Sequence, residues 1–146
     1  MLKLREALKE DLVGLLQLYT QLHNNSMPPI VSEINDLWNS MLTDRNYHII
    51  VGVINNMVIS SCTIVIIPNL THNQKPYALI ENVISHENYR GKGYATSVLE
   101  YAKDIAVKND CYKIMLLTGS KKESTLNFYR KAGYNSDDKT GLIQWL

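Results

Sequence analysis

Between residues 47 and 84 the sequence is built largely from strand-forming residues, and this run constrains the fold more than any other feature. Tyr47–Ile54 is rich in Ile and Val, Asn55-Asn56 is a two-residue hairpin signal, and Met57–Ile67 continues as a long second arm. Residues 68–76 are polar, with Pro at both ends, and read as a loop before a further strand at 77–84. A chain holding such a run must build a sheet and then cover it.

The covering material lies on either side. Leu2 and Leu4 alternate with charged neighbours, which predicts a short first strand. From Asp11 the period changes: Leu12, Leu15, Leu16, Tyr19 and Leu22 share one face of an amphipathic helix. Glu10 and Asp11 sit at its start, the end that favours acids. This helix is expected to stop near His23-Asn24-Asn25-Ser26, before Pro28-Pro29. A second helix starts at Ser32, with Ile34, Leu37, Trp38 and Met41 on one side. Beyond the β run, Ala95, Val98, Ala102, Ile105 and Ala106 mark a third helix, and residues 113–117 a short buried strand. Residues 124–132 form a fourth helix closed by Gly133. Tyr134 and residues 142–146 read as terminal strands. The order β-α-α-β-β-β-α-β-α-β-β predicts an α/β (mixed α+β) fold with helices packed on a mixed sheet.

Composition excludes several classes. The 146 residues suit a single domain, 1–146, able to bury a real core without disulfides. Fifteen Lys+Arg against fourteen Asp+Glu leave a net charge of +1, so a broad nucleic-acid footprint is not expected. Cys62 and Cys111 form no disulfide framework, and His23, His48, His72 and His86 show no metal-ligand spacing, so no metal is expected. No apolar run is long enough to span a membrane and the start is no signal peptide, so the expected location is the cytoplasm.

The chemically informative unit is a strand, Ile80-Glu81-Asn82-Val83-Ile84, then a turn, then Arg90-Gly91-Lys92-Gly93-Tyr94-Ala95-Thr96 opening a helix. A helix start presents unpaired N–H groups and a positive dipole, two glycines permit close approach, and Arg90 and Lys92 add cationic heads. Together these make a pyrophosphate cradle. The P-loop pattern is absent, and the dinucleotide fingerprint lacks its third glycine, because Thr96 occupies that position. Asp110, downstream at a tempting distance, is then a coincidence.

Arg90, Gly93 and Ala95 match Arg-x-x-Gly-x-Gly/Ala, which resembles the pyrophosphate loop of the GNAT superfamily of N-acetyltransferases. Phe128-Tyr129-Arg130-Lys131-Ala132-Gly133-Tyr134 resembles the family's Phe/Leu-Tyr-x-x-x-Gly-Phe/Tyr segment, and the resemblance covers essentially the whole chain. Glu81-Asn82-Val83 and Cys111-Tyr112-Lys113-Ile114-Met115-Leu116 look like glucosamine-6-phosphate N-acetyltransferases, although Asn82 stands where those enzymes carry a second acid.

The resemblance implies a central mixed, mostly antiparallel sheet flanked by about four helices, with acetyl-CoA as co-substrate and a small-molecule amine as acceptor. It implies that Val83 and Ile84 meet the pantetheine arm through main chain, and that amides of Gly91, Lys92, Gly93, Tyr94, Ala95 and Thr96 hold the pyrophosphate. An amine attacking a thioester needs a donor to the oxyanion, here the N–H of Val83 or Ile84. It needs an acid for the thiolate, which the resemblance places at Tyr129. It also needs a base. Glu81 is the candidate, acting directly or through a water, against the alternative of a strand-edge carboxylate facing solvent. His86 is the second candidate base. Strand periodicity puts Glu81 and Val83 on one face, Asn82 and Ile84 on the other. The family's Asn near the tyrosine helix has no direct counterpart. Ser124 would substitute or cap the helix, and Asn127 is carried over as a contact to the CoA arm.

The acceptor pocket is expected between residues 19–30 and 135–141. Two other functions fit the same loop: acetylation of a protein or peptide amine, and a silent acyl-CoA sensor needing neither Glu81 nor Tyr129. The apolar Ile143-Gln144-Trp145-Leu146 would pair two copies as a homodimer or complete its own sheet.

Overall fold

The computed structural model of the chain describes residues 1–23 and 26–146. In chain order it holds β1 (Lys3–Glu6), α1 (Leu12–Tyr19), α2 (Ser32–Thr43), β2 (Tyr47–Ile54), β3 (Met57–Ile67), β4 (Tyr77–Ser85), α3 (Tyr94–Lys108), β5 (Ile114–Leu116) and α4 (Glu123–Lys131). Short 3₁₀ turns at Lys9–Asp11 and Glu87–Tyr89 precede α1 and α3. The five strands lie in sequence order, with β1 to β4 antiparallel. Between β4 and β5, Tyr112 N–H donates to Pro76 O and Ala78 N–H to Lys113 O, both at 3.0 Å. Both chains advance together across these bonds, so β5 is the parallel strand. The expected mixed, mostly antiparallel sheet with four helices is what forms.

The chain divides into two compact units, Met1–Met115 and Leu116–Leu146. In the first, helices cover both faces of the sheet. On one face Leu12, Leu15, Leu18 and Trp38 pack against Ile49, Val51, Val53, Val58 and Ile84. On the other, α3 brings Val98, Leu99, Ala102, Ile105 and Ala106 to the strands. There Cys62 Sγ donates to Val98 O at 3.4 Å, and burial pushes its thiol pKa up to about 12. Burial on two sides explains why β2 and β3 read as near-continuous apolar runs rather than alternating ones.

Local chemistry sets the joints. Asn55 and Asn56 both take positive φ, 48° and 61°, as the tight hairpin turn requires. α1 is shorter than its hydrophobic period. Gln21 and Leu22 donate to Leu18 O and Tyr19 O, so the last turn tightens, yet Leu22 still packs on the core. Asn24 and Asn25, where the helix stop was expected, lie outside the described residues. Trp38 Nε1 donates to Lys9 O at 3.1 Å, tying α2 to the turn before α1. That turn is locked by Asp11, only 7% exposed, which accepts from Leu8 N–H at 2.7 Å and from Arg5 Nη2 at 2.9 Å.

Toward the C-terminal end two expectations are corrected. Residues 134–146 form no strand, and Leu142, Ile143, Trp145 and Leu146 are exposed. A strand exists only where a neighbour takes its hydrogen bonds, and an apolar pattern does not supply the neighbour. β5 is three residues long and half-buried, not the expected buried strand. α4 does close at Gly133: at φ 95° it lets Gly133 N–H reach Arg130 O and Tyr134 N–H reach Tyr129 O, both at 3.0 Å.

Burial alone would raise the Asp11 carboxyl, but the hydrogen bonds from Arg5 and Leu8 hold it below its ordinary value. A depressed carboxylate stabilises the fold above its unfolded pKa, and that contribution disappears as pH falls through the folded value. Asp11→Asn is therefore expected to lower unfolding free energy by about 1–3 kcal/mol at neutral pH. Urea titrations of parent and variant should show the gap shrinking toward acid pH.

Candidate functional site

Glu81 lies on β4, an inner strand of the sheet, yet it is exposed. Its surroundings follow from one irregularity. Thr63 pairs with Glu81 and Ser61 with Ile84, so β4 spends one more residue than β3 between the same two pairs. Asn82 sits in this β-bulge with φ 54°, a left-handed conformation that Asn tolerates better than most residues. Directly opposed residues share a face, so Glu81 and Ile84 both follow Ser61 and Thr63 onto the α1/α2 side. This overturns the expected alternation: Glu81 groups with Ile84, not with Val83, because the bulge shifts the parity of the strand. Ile84 is 6% exposed and belongs to the core there, while Val83 is half-buried.

Near Glu81 stand groups that the sequence did not single out. The Glu81 charge acts on the Tyr47 phenol, whose pKa is raised by burial first and by that charge as well. Burial also raises the Tyr19 phenol, with the Thr63 and Ser61 hydroxyls drawing it partly back. Thr63 lies beside both phenols and is 1% exposed. Only a polar position inside an apolar strand could have signalled Thr63 beforehand, and that signal is weak.

The loop after β4 is built as the sequence indicates. His86 Nδ1 accepts from Asn88 N–H at 3.2 Å, so His86 caps the 3₁₀ turn. This gives the alternative base a structural job. Glu87 N–H donates to Gln21 Oε1 at 2.9 Å. Arg90 Nε donates to Ser85 O at 3.3 Å, and Lys92 Nζ lies 5.0 Å from the Tyr89 ring centre. Gly91 and Gly93 take φ 73° and 79°, and a Cβ at either would meet nothing within 4 Å. Here glycine answers to backbone conformation rather than to crowding. Gly93 is the N-cap of α3 without a side-chain cap, and Ser97 N–H makes the bond to Gly93 O at 3.0 Å. The preceding amides of Tyr94, Ala95 and Thr96 precede the helix's first hydrogen bond and face its N-terminal end. An open turn, unpaired amides and two cations fit a pyrophosphate.

Within the second unit, Tyr129 is half-buried in the middle of α4, and its ring meets Phe128 at 4.9 Å and Tyr134 at 6.1 Å, edge to face in both cases. Ser124 does not cap α4. The N-cap is Lys122, and Ser124 is an exposed first-turn residue, because the helix begins one residue earlier than expected. Asn127 is exposed and accepts from Arg130 Nη1 at 3.0 Å, while Arg130 also pairs with Glu123 at 2.7 Å. Asp137 and Asp138 are exposed, and Asp137 N–H is held by Asn135 Oδ1 at 2.7 Å. Asp110 pairs with Lys75 at 2.8 Å on the surface of the first unit. Among the described residues no three His, Cys, Asp or Glu side chains converge on a metal position, and no helix is long and apolar enough to cross a membrane.

Residues 12–134 match the Acetyltransferase (GNAT) family. A glucosamine 6-phosphate N-acetyltransferase of Trypanosoma brucei brucei is 27% identical over 82 residues, 56% of this chain and 54% of that protein. The chain thus spans about half the length of that curated relative. An Agrobacterium tumefaciens str. C58 protein described as an acetyltransferase is 35% identical, covers 98% of this chain and 99% of its own, and superposes with a TM-score of 0.90. Glucosamine-6-phosphate N-acetyltransferase of Arabidopsis thaliana, 21% identical with coverage of 99% and 98% and a TM-score of 0.86, shares the fold.

The bulge makes a direct prediction. Asn82→Val forces a β-branched residue into left-handed backbone and is expected to cost about 1–2 kcal/mol. Asn82→Gly should be near neutral. Thermal or urea denaturation of the two variants distinguishes a strained bulge from an ordinary strand position.

Proposed function

The chain belongs to the GNAT family of acetyltransferases, and we propose that it moves an acetyl group from acetyl-CoA to a primary amine of a small molecule by direct attack in a ternary complex. The observation that carries this reading is the start of α3. Gly91 and Gly93 at positive φ leave an unobstructed approach to helix amides flanked by Arg90 and Lys92, directly after the strand that bears Glu81. When bound, acetyl-CoA supplies the thioester that the amine attacks.

The protein's own groups divide the remaining work. Amides of residues 91–96, with Arg90 and Lys92, hold the pyrophosphate. Val83 and Ile84 line the acyl arm through backbone, beside a bulge that interrupts the β3–β4 ladder. The N–H of Val83 or Ile84 donates to the carbonyl oxygen as negative charge develops. Glu81 accepts the proton that the incoming ammonium must lose, directly or through a water. The Tyr129 phenol gives a proton to the departing thiolate. Ser124 and Asn127 are exposed on α4 and would touch the CoA arm from that helix. The partial likeness to a glucosamine 6-phosphate enzyme supports an amine acceptor.

Three variants test this assignment. Tyr129→Phe is expected to lower kcat at least tenfold with little change in acetyl-CoA affinity, read as free CoA released. Full activity with chemistry rate-limiting would remove Tyr129 as the acid. Glu81→Gln should depress kcat/KM most at pH values where the parent carboxylate is ionised. Gly93→Glu, which adds both a side chain at positive φ and a negative charge, should weaken acetyl-CoA binding more than tenfold by calorimetry. Unchanged affinity would show that α3 does not hold the pyrophosphate.

A further inference from the structure

The face of the sheet that carries Glu81 has a charge pattern that narrows the acceptor. Residues 12–44 provide α1, α2 and the connection between them, and they contain no Lys or Arg. The acidic residues in this stretch are Glu33, Asp36 and Asp44, and His23 is its one residue able to become cationic. On the strands beneath, Glu81 opposes Thr63, and the phenols of Tyr47 and Tyr19 lie beside the same threonine. Thr63 Oγ1 is a buried hydroxyl whose polar neighbours are these two phenols, and a buried hydroxyl carries a cost unless it serves another polar group. Among the described residues the surface therefore offers one carboxylate, two phenols and a buried hydroxyl; residues 12–44 add no Lys or Arg, and Arg5, on the same face through its pairing with Val51, is held by Asp11.

A phosphate monoester is recognised by guanidinium or ammonium groups, or by free amides at a helix start. Under the acetyl-transfer reading, which this inference rests on, the α3 amides with Arg90 and Lys92 are committed to the pyrophosphate. A second phosphate beside Glu81 would meet a like charge with no compensation from residues 12–44. An ammonium ion there meets its counter-charge at once, and hydroxyl groups on the same molecule find phenolic partners.

We propose that the acceptor is an unphosphorylated amine that enters as an ammonium ion, its charge met by Glu81 and its hydroxyl groups by the phenols of Tyr47 and Tyr19, backed by Thr63. Tyr47 is then a specificity-determining residue for the acceptor. The proposal separates this chain from glucosamine 6-phosphate acetylation, the activity of the Trypanosoma relative.

Matched amine pairs test it: glucosamine against glucosamine 6-phosphate, and ethanolamine against phosphoethanolamine, each with saturating acetyl-CoA and free CoA as the readout. The unphosphorylated member should have at least tenfold higher kcat/KM in a pair that is turned over. Tyr47→Phe should raise the acceptor KM severalfold and leave the acetyl-CoA KM unchanged, which a merely misfolded variant would not do. Arg45→Gln removes the first cation after α2 and should not alter the preference. A higher kcat/KM for the phosphorylated member overturns this inference and leaves acetyl transfer to amines standing. A preference that changes with Arg45→Gln, or equal effects of Tyr47→Phe on both KM values, also overturns it. Acetyl-CoA binding with no CoA release from any of the four amines overturns the small-amine reading together with this one.

Discussion

One surplus residue in β4 governs the chemistry of the first unit. In an unbroken strand, residues three apart face opposite ways, so Ile84 could not enter the α1/α2 core while Glu81 opened on the same side. The bulge at Asn82 removes that conflict. Ile84 joins Leu15 and Leu18 in a closed apolar layer. Glu81, opposite Thr63, stays out of that layer and in reach of solvent and of the Tyr47 phenol. The strand thus serves packing at one end and a carboxylate at the other without burying a charge unpaired, which would be costly.

A second consequence concerns β4 as a platform. The strand runs straight into the 3₁₀ turn and the start of α3, and each joint is held by a specific bond: His86 N–H to Ile59 O at 2.8 Å, the His86 cap on Asn88, and Arg90 to Ser85. These bonds fix the direction in which the unpaired amides of α3 point. Positive φ at Gly91 and Gly93 supplies the reversal between the turn and the helix, and the absence of Cβ atoms keeps the approach clear. The direction in which these amides point depends on the backbone, and the backbone depends on an ordered turn.

Much of this was legible in the sequence. The segments β2 and β3 and the start of α2 fall where period and turn residues place them, since hydrophobic spacing and Asn55-Asn56 are local signals. The glycine-opened start of α3 was legible for the same reason: glycine spacing is a statement about backbone conformation. What failed depended on partners. Ser124 looks like a cap until the helix is seen to start at Glu123. Residues 142–146 look like a strand until no neighbour pairs with them. The cap that His86 places on Asn88 was likewise invisible until its neighbours were in place.

By itself the sequence determined the layered α/β architecture, the glycine-opened helix start with Arg90 and Lys92, the presence of Glu81 within an apolar strand, and the lack of any Lys or Arg across residues 12–44. All of these are properties of composition, period and local backbone preference. Only the tertiary structure decided that Glu81 shares a face with Ile84, and that Tyr19, Tyr47 and Thr63 gather beside it. Register between strands and the company a side chain keeps are set by pairings between distant residues, and a bulge of one residue is enough to redirect both.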